Sequence, residues 1–106
     1  VGCFFDEENV AAVVGLHKDD VIIYFTRSKR TNVIENYATE DLCLSTGGGY
    51  YLATHKDNVI SVWNAETCDL VNSKTCSSKA KMSFTRKAEY LLAVDISGAM
   101  SKLAIL

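Results

Sequence analysis

His17-Lys18-Asp19-Asp20-Val21-Ile22 returns as His55-Lys56-Asp57-Asn58-Val59-Ile60, with five identities in six positions at an offset of 38 residues. An aromatic follows the first Asp of each copy by six positions, Phe25 after Asp19 and Trp63 after Asp57. Upstream, an apolar residue stands eight or nine positions before a strand-centre aliphatic: Phe5 before Val14, Leu44 before Leu52, Phe84 before Leu92. The period is thus 38 to 40 residues.

The units repeated are strands. Val10–Val14, Val21–Phe25, Tyr50–Thr54, Val59–Trp63, Glu89–Val94 and Lys102–Leu106 are short runs of β-branched, aliphatic and aromatic residues. They are too short for ordinary helices, and the clusters between them are turn formers. Those clusters are Asp6 to Asn9, His17 to Asp20, Gly47-Gly48-Gly49, His55 to Asn58 and Ser97-Gly98. The fold class expected is all-β with hairpin connections, and strand repeats of this length predict propeller blades, four-stranded meanders that bury their faces only against neighbours.

Composition excludes several function classes. The 106 residues are 48% hydrophobic and 23% charged, as in an ordinary globular domain. Eleven basic against thirteen acidic residues leave a net charge of −2. That balance gives no electrostatic footprint for nucleic acid or an anionic membrane. The longest apolar stretch, Val10 to Leu16, has seven residues, against about 20 for a membrane helix. Cys3, Cys43, Cys68 and Cys76 form no C-x-x-C pair and no cluster with histidine at zinc spacing, so no metal or other cofactor is expected. Free thiols in an intracellular, reducing compartment are expected, with two disulfides as the alternative. The amino end, with no initiator Met and no signal segment, reads as an internal piece of a longer product.

At this point the residues resemble the WD-repeat β-propeller family. Phe84-Thr85-Arg86-Lys87-Ala88-Glu89-Tyr90-Leu91-Leu92-Ala93 is similar to that family's first strand, turn and second strand. Ile60-Ser61-Val62-Trp63-Asn64-Ala65-Glu66-Thr67-Cys68-Asp69-Leu70-Val71 is similar to its third strand, signature dipeptide and fourth strand. Asp57 stands where the family keeps a turn aspartate. The chain departs from the pattern in three ways: Asn64 replaces the signature Asp, no Gly-His pair opens a blade, and His55 stands where a small hydroxyl residue is usual. The family's Trp-Ser-His-Asp hydrogen-bond chain is therefore expected to be incomplete.

The resemblance implies a single partial propeller over 1–106, with blade one at about 2–37, blade two at about 41–76 and blade three at about 81–106 lacking its last strand. Such a piece would be the C-terminal part of a larger propeller, unstable alone unless another chain supplies the missing blades. The implied function is a non-catalytic protein-protein interaction scaffold in a larger complex. Its partners would be other protein subunits, with no membrane and no small-molecule substrate.

On that alignment the turns 17–20 and 55–58 share one face with the connections at 38–42 and 77–80. His17, Lys18, His55 and Lys56 are the first contact candidates there. The plainer alternative is that Asp19 and Asp57 fix the turns and the lysines are solvated. Arg27, Lys29 and Arg30 form the densest positive cluster, with Ser28 or Thr31 as phosphate acceptors beside it; its plainer reading is a solvated hairpin tip. Phe25 and Trp63 are expected to be structural, Trp63 packing between blades with its indole N–H bonded within the repeat. Gly47–Gly49 lacks the Lys-Ser or Lys-Thr of a phosphate loop and reads as a flexible turn. No nucleophile-base pair can be singled out, so an enzyme is not expected. Two other classes remain: a small stand-alone β-sandwich or barrel binding a ligand, and a ribonucleoprotein subunit with Arg27, Lys29, Arg30, Lys79, Lys81, Arg86 and Lys87 on one side.

Overall fold

The computed structural model describes residues 2–37, 41–76 and 79–105. These residues are all-β, in eleven strands: β1 Gly2–Asp6, β2 Asn9–His17, β3 Asp20–Phe25, β4 Thr31–Ile34, β5 Asp41–Leu44, β6 Tyr51–Lys56, β7 Val59–Asn64, β8 Leu70–Thr75, β9 Ala80–Phe84, β10 Tyr90–Asp95 and β11 Met100–Ala104. Three antiparallel meanders result: sheet 1 is β1-β2-β3-β4, sheet 2 is β5-β6-β7-β8, and sheet 3 is β9-β10-β11. No helix among them is long and apolar enough to cross a membrane.

The sheets stack in chain order through two apolar layers. Phe4, Ala12, Val14, Val21, Ile23 and Ile34 of sheet 1 pack on Leu52, Trp63 and Ala65 of sheet 2. On its other side, Ala53, Ile60 and Val62 of sheet 2 pack on Ala80, Leu91, Ala93 and Leu103 of sheet 3. Successive residues of a strand point to opposite faces, so each sheet has a leading face toward the preceding neighbour and a trailing face toward the next.

A backbone hydrogen bond marks the same place in every sheet: Thr26 N–H donates to Ala11 O, Ala65 N–H to Tyr50 O, and Ile105 N–H to Glu89 O. The hydroxyls of Ser45 and Thr85 also match, each accepting the N–H that restarts the next strand, Tyr51 at 3.0 Å and Tyr90 at 3.0 Å. These landmarks set the spacing from sheet 1 to sheet 2 at 39 residues, Thr26 to Ala65, one more than the sequence identity suggests.

That single residue changes the expected correspondences, because a one-residue slip moves every side chain to the other face. His17 closes its hairpin opposite Asp20, whereas Lys56, not His55, closes the matching hairpin opposite Val59. Tyr24, not Phe25, takes the position of Trp63. Phe25 pairs with Ala12 and packs edge-on against Tyr50 at 6.2 Å. The strands also run further than expected, through His17 and Lys56, leaving tight turns at Lys18-Asp19 and Asp57-Asn58. Asp57 and Asn58 both have positive φ, at 52° and 62°, the type I′ geometry whose twist suits a two-residue hairpin.

The Gly47–Gly49 turn is not free to flex. A Cβ on Gly47 would lie 2.9 Å from Arg86 O, and one on Gly48 would lie 1.9 Å from Lys87 O. Gly48 also has φ +74°. The turn is a backbone-on-backbone seat between sheets 2 and 3, which only glycine allows.

Candidate functional site

Two ends of the stack present loops. The connection end carries the β2–β3 and β6–β7 turns, the β10–β11 turn and the links between sheets. The opposite end carries the remaining hairpins. Of the linking segments, residues 38–40 and 77–78 lie outside the described residues, so the expected contact segments 38–42 and 77–80 are described only at 41–42 and 79–80.

At the connection end His17, Lys18 and Asp19 are exposed, with Lys18 held at φ 54°. Asp20 Oδ1 accepts the Asn36 N–H at 3.1 Å, tying the turn to the chain leaving sheet 1. Lys56 is half-buried and turned along the surface: its Nζ donates to Asn36 O and lies 5.4 Å from the centre of the Tyr37 ring. Tyr37 stands edge-on to Trp63, with centroids 4.7 Å apart. Trp63 Nε1–H donates to Thr54 Oγ1 at 3.0 Å in the buried interior. Lys56, Tyr37, Trp63 and Thr54 thus form one continuous path from the surface into the layer between sheets 1 and 2.

Thr54 is the residue the sequence reading missed. The small hydroxyl expected at position 55 stands one place earlier, opposite Ser61 and on the leading face with Trp63. Signals for it were present, since Thr54 and Trp63 straddle the hairpin on one face, but the 38-residue alignment hid them.

His55 is likewise a clasp. Its side chain is 10% exposed; Nδ1 lies 4.0 Å from Asp41 Oδ2, and Nε2 lies 3.2 Å from Cys76 O. It joins β5 and β6 to the segment that follows β8. Of the four connection-end candidates, His17 and Lys18 are displayed, while His55 and Lys56 hold the scaffold together.

Arg27, Lys29 and Arg30 lie at the opposite end, in the β3–β4 turn, and so do not join the other four. Arg27 faces Asp6 at 3.9 Å with both side chains well exposed, an arrangement worth little in water. Arg30 Nη2–H donates to Glu66 O at 3.0 Å, and Asn32 Nδ2–H donates to Ala65 O and Glu66 O at 2.9 Å each. These bonds stitch sheet 1 to sheet 2. Ser28 Oγ accepts the Arg30 N–H at 3.3 Å, and Thr31 is exposed at the start of β4. Arg86 and Lys87 share this end, through the seat of Gly47 and Gly48. Lys79 and Lys81 lie at the connection end, before and within β9. The seven basic residues named for a nucleic-acid surface therefore divide between two ends.

A groove of about 610 Å³ opens where β5 meets β9, between Asp41, Cys43, Lys81, Met82 and Asp95. Ile96, 91% exposed, stands on its rim. In the turn bearing it, Asp95 Oδ1 accepts the N–H groups of Ser97 and Ala99 at 2.9 and 3.0 Å. Among the described residues, no three or more His, Cys, Asp or Glu groups are placed to hold a metal ion.

Burial pushes the Cys43 thiol above its ordinary value, partly offset by a backbone hydrogen bond. Burial raises Cys68 as well; the Arg30 charge opposes that rise and Asp69 adds to it. Cys3, Cys43 and Cys68 are free thiols.

The class so defined is an all-β stack of antiparallel meanders with turns displayed at both ends. No family model matches the chain, and no curated protein matches it.

Proposed function

We propose that the chain is a non-catalytic protein-interaction scaffold of the WD-repeat propeller type, working in a larger intracellular complex whose other subunits include the missing blades. The observation that carries this reading is the division of labour at the connection end. His55 and Lys56 are spent on internal contacts, while His17, Lys18 and Asp19 are held out on a turn anchored by Asp20. A stiff base with variable turns is the physical form of a binding platform. The indole-to-hydroxyl bond of Trp63 and Thr54 supports the propeller type, since it supplies the first link of the family's hydrogen-bond chain. Free thiols agree with a reducing compartment.

A photo-crosslinking residue placed at position 18, and in a separate variant at position 29, tests the reading in cells. The expected result is a discrete covalent protein adduct from position 18, lost when His17→Ala is added, and none from position 29. Adducts from position 29 alone would move the contact face to the opposite end; none from either would remove the scaffold reading.

A further inference from the structure

We propose that a cavity between sheets 1 and 2 at the connection end binds a single carboxylate, carried by an acidic side chain of a partner protein. The inference rests on the scaffold reading above and names the chemistry of the partner.

The leading face of sheet 2 changes character along its length. Toward the opposite end it is apolar, with Leu52 paired to Trp63 and both packed on sheet 1. Toward the connection end, the next pairs on that face are Thr54 with Ser61 and Lys56 with Val59. There the sheets part around a cavity of about 370 Å³, lined by Asn36, Tyr37, Lys56, Asp57, Val59 and Ser61. Small-ligand pockets of about 300–1,000 Å³ are usual.

Two polar groups facing this space lack the partners that burial calls for. Ser61 is 5% exposed, yet its hydroxyl makes no hydrogen bond to any described residue. No fully covered side-chain nitrogen or oxygen among the described residues is without a partner, so the Ser61 hydroxyl opens on the cavity it lines. Thr54 beside it differs, since its oxygen accepts the Trp63 indole N–H. Lys56 is half-buried, and among the described residues no carboxylate lies within 4.0 Å of its Nζ. A cation partly removed from water without a counter-charge is costly, and an anion that reaches it is favoured. One hydrogen bond, to Asn36 O, leaves N–H groups of the ammonium for a ligand.

Lys56 and Ser61 are diagonal neighbours on one face of an antiparallel pair, roughly 7–8 Å apart at the backbone. A carboxylate between them accepts the Ser61 O–H at one oxygen and a Lys56 N–H at the other, each bond about 2.7 Å long. Asp57 limits the charge. Exposed at the mouth of the cavity, it opposes a second negative charge beside one lysine, which disfavours a phosphate monoester, and it accepts an N–H of the ligand's main chain. An acidic side chain on a peptide meets all three groups. The Asn36 N–H donates to Asp20 Oδ1, which ties the cavity wall to the turn bearing His17 and Lys18.

A blocked glycine-glutamate-glycine peptide titrated into the full chain tests this, read by the NMR signals of the Trp63 indole and the Ser61 amide. Saturable shifts are expected. Affinity should fall roughly tenfold when glutamine replaces the peptide's glutamate, and roughly tenfold in Lys56→Gln or Ser61→Ala. Should Lys56→Gln fail to fold, Ser61→Ala carries the test, because its hydroxyl bonds nothing within the fold. A phosphoserine peptide of the same length should bind more weakly. No saturable shift, equal binding of the glutamine peptide, affinity unchanged by Ser61→Ala, or equal or tighter binding of the phosphoserine peptide would each overturn the assignment. The scaffold reading fails separately, by the absence of crosslinked adducts from positions 18 and 29, which the titration does not read.

Discussion

Strands β7 and β10 are both six residues long, each with an antiparallel neighbour on either side, yet their burial differs. In β7, Ile60, Ser61, Val62 and Trp63 are all buried. In β10, buried Leu91 and Ala93 alternate with the more exposed Leu92 and Val94. Among the described residues, sheet 2 has neighbours on both faces and reads like an internal layer, while sheet 3 has one neighbour and shows simple alternation. Burial here is set by the number of stacked neighbours more than by the apolar content of the strand. Single substitutions at equivalent positions can therefore weigh one joint against the other.

The largest difference is expected at the position shared by Trp63 and Leu103. Trp63→Ala should cost on the order of 3–5 kcal/mol and Leu103→Ala about 2 kcal/mol, read from denaturant midpoints. Equal costs would break the comparison, since they would mean that the joint between sheets 1 and 2 is no tighter than that between sheets 2 and 3. Gly48 and Gly98 make the next contrast. Both have positive φ, but a Cβ at Gly98 meets nothing within 4 Å, whereas at Gly48 it would strike the Lys87 backbone. Gly98→Ala should cost about 1 kcal/mol for the backbone conformation, and Gly48→Ala about 3 kcal/mol. Hydrogen exchange at Lys87 should rise only in the second variant.

Thr54→Val sharpens the comparison further. It keeps the shape and removes the acceptor of the Trp63 indole N–H, at a cost of about 1–3 kcal/mol. The indole proton should shift in NMR spectra. Ala93, which stands at the matching place in sheet 3 opposite Ser101, has no such bond to lose.

The all-β class and the meander connections were legible because apolar runs such as Val21–Phe25 and Val59–Trp63 alternate with turn chemistry. The face of each residue was not. Five identities at an offset of 38 pull the alignment one place away from the hydrogen-bond landmarks at Thr26 and Ala65. In a strand that error exchanges Phe25 for Tyr24 and hides Thr54. Lys18 was legible as a displayed residue because it stands exposed on its turn. Lys56 and His55 were not, since their acceptors include the backbone carbonyls of Asn36 and Cys76, about 20 residues away in sequence. Sequence identity marked the hairpin, and the backbone decided which of its polar groups were used.

The smallest effect belongs to Cys43, and it again separates the middle sheet from the third. Cys43 stands opposite Ala53 on the trailing face of sheet 2, its Sγ 3.5 Å from Met82 O of sheet 3. Ser83 takes the same ladder place opposite Leu92 but lies exposed on the face turned away from sheet 2. Burial disfavours the Cys43 thiolate, so the folded chain holds its proton to higher pH than the unfolded chain does. As pH rises past the ordinary thiol range, the unfolded chain therefore releases its proton first and stability declines; below that range the contribution is complete. Denaturant midpoints at rising alkaline pH should fall more for the natural chain than for Cys43→Ala. Iodoacetamide should also label Cys43 more slowly in the folded chain than in denaturant. If the two midpoint curves run parallel, the thiol is no more desolvated between sheets than in the unfolded chain, and the joint at β5 and β9 is looser than the packing of Ala53 on Ala93 implies.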